Sequence, residues 1–324
     1  MKKFSFVAGV TAALLGGLFA TSAGAQGYPN KPVRVVLPYA AGAGADIEIR
    51  GFANFLQQRL GQSFVIDNRP GSGTLIGTEI VARAPNDGYT LLYTTGSLST
   101  MPTLYKATSF DPLKDFEFIT ILSSFATVLG VNKTVPVNTL PELIAYAKAN
   151  PGKLNYASTS RGVIYMGIEA LKREAGINLV EIPYNGGQSQ YMQALLANEV
   201  QFAMASLSGV KQFVDNGEYK VLAAIAPKRH PQLPNVPTVD ELGFKTVISS
   251  PWSGLLAPKG TPKAIVDKLA AEAKEYIKSD EILNRVKTQV YIPVASTPEE
   301  FRATVEREIP TWKKVAEIVG VQPE

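Results

Sequence analysis

The sequence predicts an α/β protein of two lobes, and three observations carry that expectation. Short β-branched runs alternate with stretches at helical spacing, the pattern of strands joined by crossover helices. The alternation comes in two blocks, each with a strand-to-helix loop of small or hydroxylated residues. The 324 residues, shortened to 299 if an expected leader of 25 is removed, fit two domains at roughly 150 residues each.

In chain order, Val33 to Leu37 is a β-branched run and predicts a strand that Pro38 stops. Asp46 is placed to cap a helix running to Leu60, with Ile49, Phe52, Ala53, Leu56 and Leu60 on one face and Gly61 ending it. Phe64 to Ile66 predicts a second strand, Asn68 to Gly73 a turn, Leu75 to Ala84 a helix, and Tyr89 to Tyr93 a third strand after Pro85-Asn86-Asp87-Gly88. The second block begins with a helix over Leu140 to Ala149. A strand over Leu154 to Ala157 follows, then a helix over Val163 to Glu174 and a strand over Leu179 to Ile182. A helix over Gln188 to Ala197 precedes strands at Val200 to Ala205 and Val221 to Ala226. The C-terminal stretch predicts helices over Pro262 to Ile277, Asp280 to Val286 and Pro298 to Val319, with Pro262 and Pro298 where a first-turn proline is tolerated. Such alternation argues for parallel sheets.

The first 25 residues predict a cleavable secretory signal. Lys2 and Lys3 precede an apolar run over Phe4 to Ala20, and Ala23-Gly24-Ala25 supplies small residues at the cleavage positions. The run is short and rich in Gly and Ala, which disfavours a membrane anchor needing about 20 strongly apolar residues. With no cysteine anywhere, there is no thiol for lipidation, a disulfide, a thiolate metal site or a nucleophile. A periplasmic, soluble protein is expected. Loss of the leader takes the formal charge from +4 to +2, too near balance to mark a nucleic-acid or anionic-membrane partner.

Two loops are candidates for ligand contact, because open α/β sheets bind ligands beyond the carboxyl ends of their strands. The first is Pro38 to Asp46, where small residues admit a ligand to the backbone and Tyr39 offers a flat face with a hydroxyl. The alternative is a plain tight connection capped by Asp46. The second is Ser158-Thr159-Ser160-Arg161-Gly162, whose hydroxyls and guanidinium suit a carboxylate. The alternative there is a capping loop with a solvated Arg161. Competing chemistry is thin. Gly42-x-Gly44 with Asp67 imitates a dinucleotide fingerprint, but Ile47 stands at the third glycine position. The single histidine, His230, lies in a proline-punctuated loop. There is no G-x-S-x-G elbow, and Glu299-Glu300 sits where acids favour a helix start. No catalytic residue, cofactor or metal is expected.

The chain resembles the tripartite tricarboxylate transporter substrate-binding proteins, the Bug family of periplasmic receptors. The segments that carry the resemblance run in order through the whole mature chain. They are Tyr28-Pro29-x-Lys31-Pro32 leading to Pro38-Tyr39-Ala40-Ala41-Gly42, Asp67-Asn68-Arg69-Pro70-Gly71, Pro85 to Leu92, and Asp111-Pro112-Leu113-Lys114-Asp115-Phe116. They continue with Pro151 to Tyr156, Pro183-Tyr184-Asn185-Gly186, Leu233 to Thr238, and Trp252-x-Gly254-Leu255-x-Ala257-Pro258.

The resemblance implies a type II periplasmic-binding-protein fold, with lobe one over residues 26–125 plus 250–324 and lobe two over 126–249. It implies capture of a small carboxylate for a permease of one large and one small membrane subunit. A ligand-presenting role toward a sensor kinase would share the same pattern, and an exported hydrolase is the weaker alternative. The implied contacts are Tyr39, Ala40, Gly42, Gly44, Asp46 and Ser97 in lobe one. In lobe two they are Ser158, Ser160, Arg161, Val163, Tyr165, Tyr184 and Ser206. The chain departs from the family at several of these positions. Ala43-Gly44-Ala45-Asp46 replaces a glycine-rich run but keeps the aspartate, Tyr165 stands where histidine is common, and Ala205-Ser206 lacks a common aspartate. The missing acid disfavours an amine-bearing ligand and Arg161 favours a second carboxylate. Tyr39 and Tyr165 would flank a flat ring, which brings an aromatic dicarboxylate such as terephthalate into range.

Overall fold

The structure is a computed structural model that describes residues 27–42, 44–158, 162–184, 187–226, 228–230, 232–249, 251–288 and 292–323. The expected leader, Ser160 and Arg161 lie outside the described residues.

The chain opens with β1 (Val33–Leu37), α1 (Gly44–Leu60), β2 (Phe64–Asn68), a 3-10 turn over Ser72–Thr74, α2 (Leu75–Ala82), β3 (Thr90–Thr95) and α3 (Ser97–Leu104). Next come β4 (Phe116–Ser124), β5 (Thr127–Asn132), α4 (Leu140–Ala149), β6 (Asn155–Ser158), α5 (Val163–Ala175) and β7 (Val180–Pro183). They are followed by α6 (Gly187–Leu196), β8 (Phe202–Ser206), α7 (Leu207–Asp215), β9 (Tyr219–Ile225) and β10 (Trp252–Pro258). The chain ends with α8 (Lys263–Tyr276), α9 (Asp280–Thr288), β11 (Ile292–Pro293) and α10 (Pro298–Val319).

Two sheets form among the described residues. One has the order β11-β4-β10-β3-β1-β2 and the other β7-β6-β8-β5-β9. Within the first, β1 runs parallel to β2 and β3. Within the second, β6 runs parallel to β7 and β8. The expectation of parallel sheets holds for these strands and needs correction for the others, because β10 is antiparallel to β3 and β4, and β5 is antiparallel to β8 and β9. The reason is topological. β4 ends at the same sheet edge as β3, the chain crosses there, and β5 enters the second sheet from the edge where β8 and β9 end. A strand entering at that edge must run away from it. β10 returns under the same constraint. The two crossings are tied together, since Ser124 Oγ and Phe125 N both donate to Pro251 O, at 2.8 and 2.9 Å.

Elements with β-branched runs or clear helical spacing stand where the sequence predicts them, within a residue or two. Ile49, Phe52, Ala53 and Leu56 of α1 are buried as expected. Asp46 lies inside the first turn of α1 rather than capping it from outside, and its carboxylate reaches back to accept from Gly42 N at 2.9 Å. Glu299 and Glu300 begin α10 under a capping box in which Thr297 and Glu300 exchange hydrogen bonds. Its first turns pack Phe301 against Trp252 and Phe118, and its later turns pack Trp312 beside Met166 and Ala170 of α5. No helix among the described residues is long and apolar enough to cross a membrane.

Candidate functional site

The parallel strands fix where the site can form. β1, β2 and β3 all end on one edge of the first sheet, and β6, β7 and β8 all end on one edge of the second. β4 leaves from the first edge and β5 enters at the second, while the returning chain starts β10 at the first, so the two edges adjoin.

On the first edge the loop after β1 turns through Gly42, whose φ of 82° is the left-handed region that favours glycine. Ala40, Gly42 and Gly44 are exposed, so a ligand can approach their backbone. Asp46, beneath them, is 3% exposed and saturated. Its Oδ2 accepts from Gly42 N and Arg50 Nε, and its Oδ1 from Asn68 Nδ2 and Arg50 Nη2, all at 2.9 Å. Asn68 Nδ2 also donates to Tyr39 O at 2.9 Å. Burial raises the Asp46 pKa, but Arg50, the Gly42 N–H and Asn68 outweigh it and bring the carboxyl down to about 2. In this arrangement Asp46 shapes the loop.

Beside the loop lies a cluster of four hydroxyls. Tyr39 OH is 2.7 Å from Thr95 Oγ1 and 3.0 Å from Ser97 Oγ, and Ser97 Oγ is 3.2 Å from Thr74 Oγ1. Burial raises the Tyr39 phenol above its ordinary pKa, so it stays a neutral donor. Thr95 and Thr74 were not among the residues expected from sequence. Thr74 holds φ 85°, unusual for a β-branched residue, between Gly73 at φ 60° and α2. Such strain persists where surroundings enforce it, often at functional sites. The sequence signal was Gly71-x-Gly73, two glycines with positive φ just before Thr74.

On the second edge Ser158, Tyr184 and Ser206 come together because their strands are parallel neighbours. Tyr184 N donates to Ser158 O at 2.9 Å. Ser158 is buried and its Oγ donates to Glu181 Oε1 at 2.5 Å, a partner sequence reasoning missed. Val163 and Tyr165 begin α5, both partly buried, and both pack against the cluster that contains Trp312. Tyr184 is partly buried, which raises its phenol pKa. Ser206 is held by Gln188, also missed. Gln188 Oε1 accepts from Ser206 N at 3.0 Å and Ser206 Oγ at 2.9 Å.

The residues of the competing readings are occupied elsewhere. Asp67 accepts from Arg34 Nε at 2.8 Å and Arg69 Nε at 2.9 Å; burial raises its pKa, but the two guanidiniums overcome this and lower it. His230 is buried, accepts from Gln232 N at 3.2 Å through Nδ1, and has its pKa lowered by burial. Among the described residues no group of three or more histidines and acids gathers that could hold a metal ion.

Comparison with known proteins adds an independent line. Residues 49–321 match the model of the tripartite tricarboxylate transporter family receptor. The protein of the gbd 5′ region of Cupriavidus necator is 38% identical over 266 residues, covering 81% of this chain and 80% of that protein. Among solved structures, the R. palustris protein with adipate superposes with a TM-score of 0.83 at 30% identity, covering 92% of this chain and all of that one. The periplasmic binding protein BugD does so with a TM-score of 0.82 at 33% identity, with the same coverage.

Proposed function

Because the chain belongs to the tripartite tricarboxylate transporter receptors, a family of periplasmic solute-binding proteins rather than enzymes, we propose that it captures a small carboxylate between two closing lobes. Residues 26–125 with 250–324 form one lobe and residues 126–249 the other. The leader over residues 1–25 directs the chain to the periplasm, where it hands the ligand to a permease with one large and one small subunit.

The observation that carries this reading is the pair of adjoining strand edges. One presents the exposed backbone of Ala40, Gly42 and Gly44 beside the Tyr39–Thr74–Thr95–Ser97 hydroxyls; the other presents Tyr184 and Ser206, with Ser158 buried behind them. Neutral donors around a backbone loop suit an anion without committing a fixed counter-charge. Arg161 supplies a cation for a second carboxylate, so a di- or tricarboxylate is the ligand class. An aromatic dicarboxylate between Tyr39 and Tyr165 is one member of it. The likeness to a protein solved with adipate supports a carboxylate ligand. Several charge-assisted hydrogen bonds bring affinity to about micromolar, near −8 kcal/mol.

Closure follows from differential contact, since a ligand bridging both edges stabilises only the closed arrangement. A thermal-shift screen of aliphatic and aromatic carboxylates against amino acids and sugars tests the reading. Carboxylates are expected to raise the melting temperature with concentration. A shift from sugars or amines alone would refute it.

A further inference from the structure

We propose that Gln188 and Ser206 form a neutral donor–acceptor pair that reads a hydroxyl on the ligand, so that this receptor prefers hydroxycarboxylates over their deoxy counterparts. This rests on the carboxylate reading above and adds to it.

The inference follows from proton accounting. Ser206 ends β8, on the same sheet edge as Ser158 and Tyr184. Its backbone N–H can only donate, and it lies 3.0 Å from one end of the Gln188 amide, so that end is the carbonyl oxygen. Ser206 Oγ is 2.9 Å from the same oxygen and must donate to it. The single hydroxyl proton is therefore spent, and Ser206 Oγ can only accept from anything else. At the other end, Gln188 Nε2 spends one N–H on Ser206 O at 3.3 Å and keeps a second. Both residues are partly exposed, and the remaining donor and acceptor carry no further hydrogen bond among the described residues.

The arrangement is built in. A Cβ at Gly209 would overlap the Gln188 amide nitrogen and come within 3.1 Å of Ser206 Oγ. Glycine at 209 is what lets the amide lie across Ser206. A lone-pair acceptor beside an N–H donor complements a hydroxyl, which donates to one and accepts from the other. A carboxylate oxygen there would face the Ser206 lone pairs, and an ammonium would face the Gln188 N–H.

Calorimetric titration with three matched pairs tests this: malate with succinate, 2-hydroxyglutarate with glutarate, and citrate with tricarballylate. The hydroxylated member of at least one pair is expected to bind about tenfold tighter, the worth of one hydrogen bond whose loss leaves polar groups unpaired. Gln188→Leu should bring that ratio close to one. Gly209→Ala, which removes no polar group but displaces the amide, should do the same, with circular dichroism and melting curves confirming that both variants fold. Equal affinity within every pair that binds would overturn the hydroxyl subsite and leave the carboxylate reading standing. An unchanged ratio in Gln188→Leu would also overturn it. Binding by none of the six acids would overturn the subsite, and the carboxylate reading falls with it only when no carboxylate of the thermal-shift screen, adipate and aromatic dicarboxylates included, raises the melting temperature.

Discussion

The two strand edges solve different problems. On the first, a saturated aspartate, an arginine and an asparagine lock a loop of small residues, and a closed set of hydroxyls sits beside it. Almost every polar side chain there is occupied by another, which leaves exposed backbone as the contact surface. On the second, hydroxyls are held singly, Ser158 by Glu181 and Ser206 by Gln188, and each partner decides what the hydroxyl can still offer. On the proposed reading, the contrast makes the first edge a generic, rigid seat and gives the second the side chains that set selectivity. In a family of many ligands, substitutions should concentrate their effect on selectivity in the second edge and on stability in the first.

The largest expected effect is on the first edge. Asp46→Ala leaves the Gly42 N–H and the Asn68 amide without their acceptor, while water takes up most of the loss at the half-exposed Arg50, so stability should fall by about 2 kcal/mol in urea unfolding. Ligand affinity should fall with it. If affinity falls while stability holds, Asp46 contacts ligand directly and the division between the edges fails.

The acid limb of stability comes next. The folded Asp46 pKa lies near 2, below its ordinary 3.8, so its contribution is fully present above the ordinary value. It is lost as pH falls from about 4 toward 2. Asp46→Asn should flatten that part of a pH–stability curve, and a curve as steep as the parent's would contradict the assignment.

Tyr39→Phe removes one hydroxyl from the cluster and should cost about 1 kcal/mol of stability, with a loss of affinity up to tenfold, both read from calorimetry. Thr74→Gly should have the smallest effect and the opposite sign. It relieves the left-handed strain and should raise stability by up to about 1 kcal/mol while weakening binding. A stability loss would mean that the Thr74 side chain packs more than it strains.

Much of this architecture was legible in the sequence. β1, α1, α4, α5 and α10 carry β-branched runs, helical spacing and end signals that are local. β4, β5 and β10 were not assigned from periodicity. Burial on both faces gives continuous apolar runs such as Phe118-Ile119-Thr120-Ile121-Leu122, which have no period to read. The antiparallel sense of β5 and β10 depends on where the chain crosses, which no local pattern records. The small-residue loop and Ser158 could be found because they follow strands. Thr95, Glu181 and Gln188 could not, because their roles arise from partners across the sheet or on the next helix. Thr74 left a partial trace in the two glycines that precede it.

The central claim is that one carboxylate is held by both edges at once, and a crystal structure with a bound dicarboxylate tests it most directly. The account predicts one carboxyl against the backbone of Ala40, Gly42 and Gly44 and the Tyr39 and Ser97 hydroxyls, with the rest of the ligand reaching Tyr184 and the Gln188–Ser206 pair. A ligand touching only one edge, or lying away from both, would contradict it.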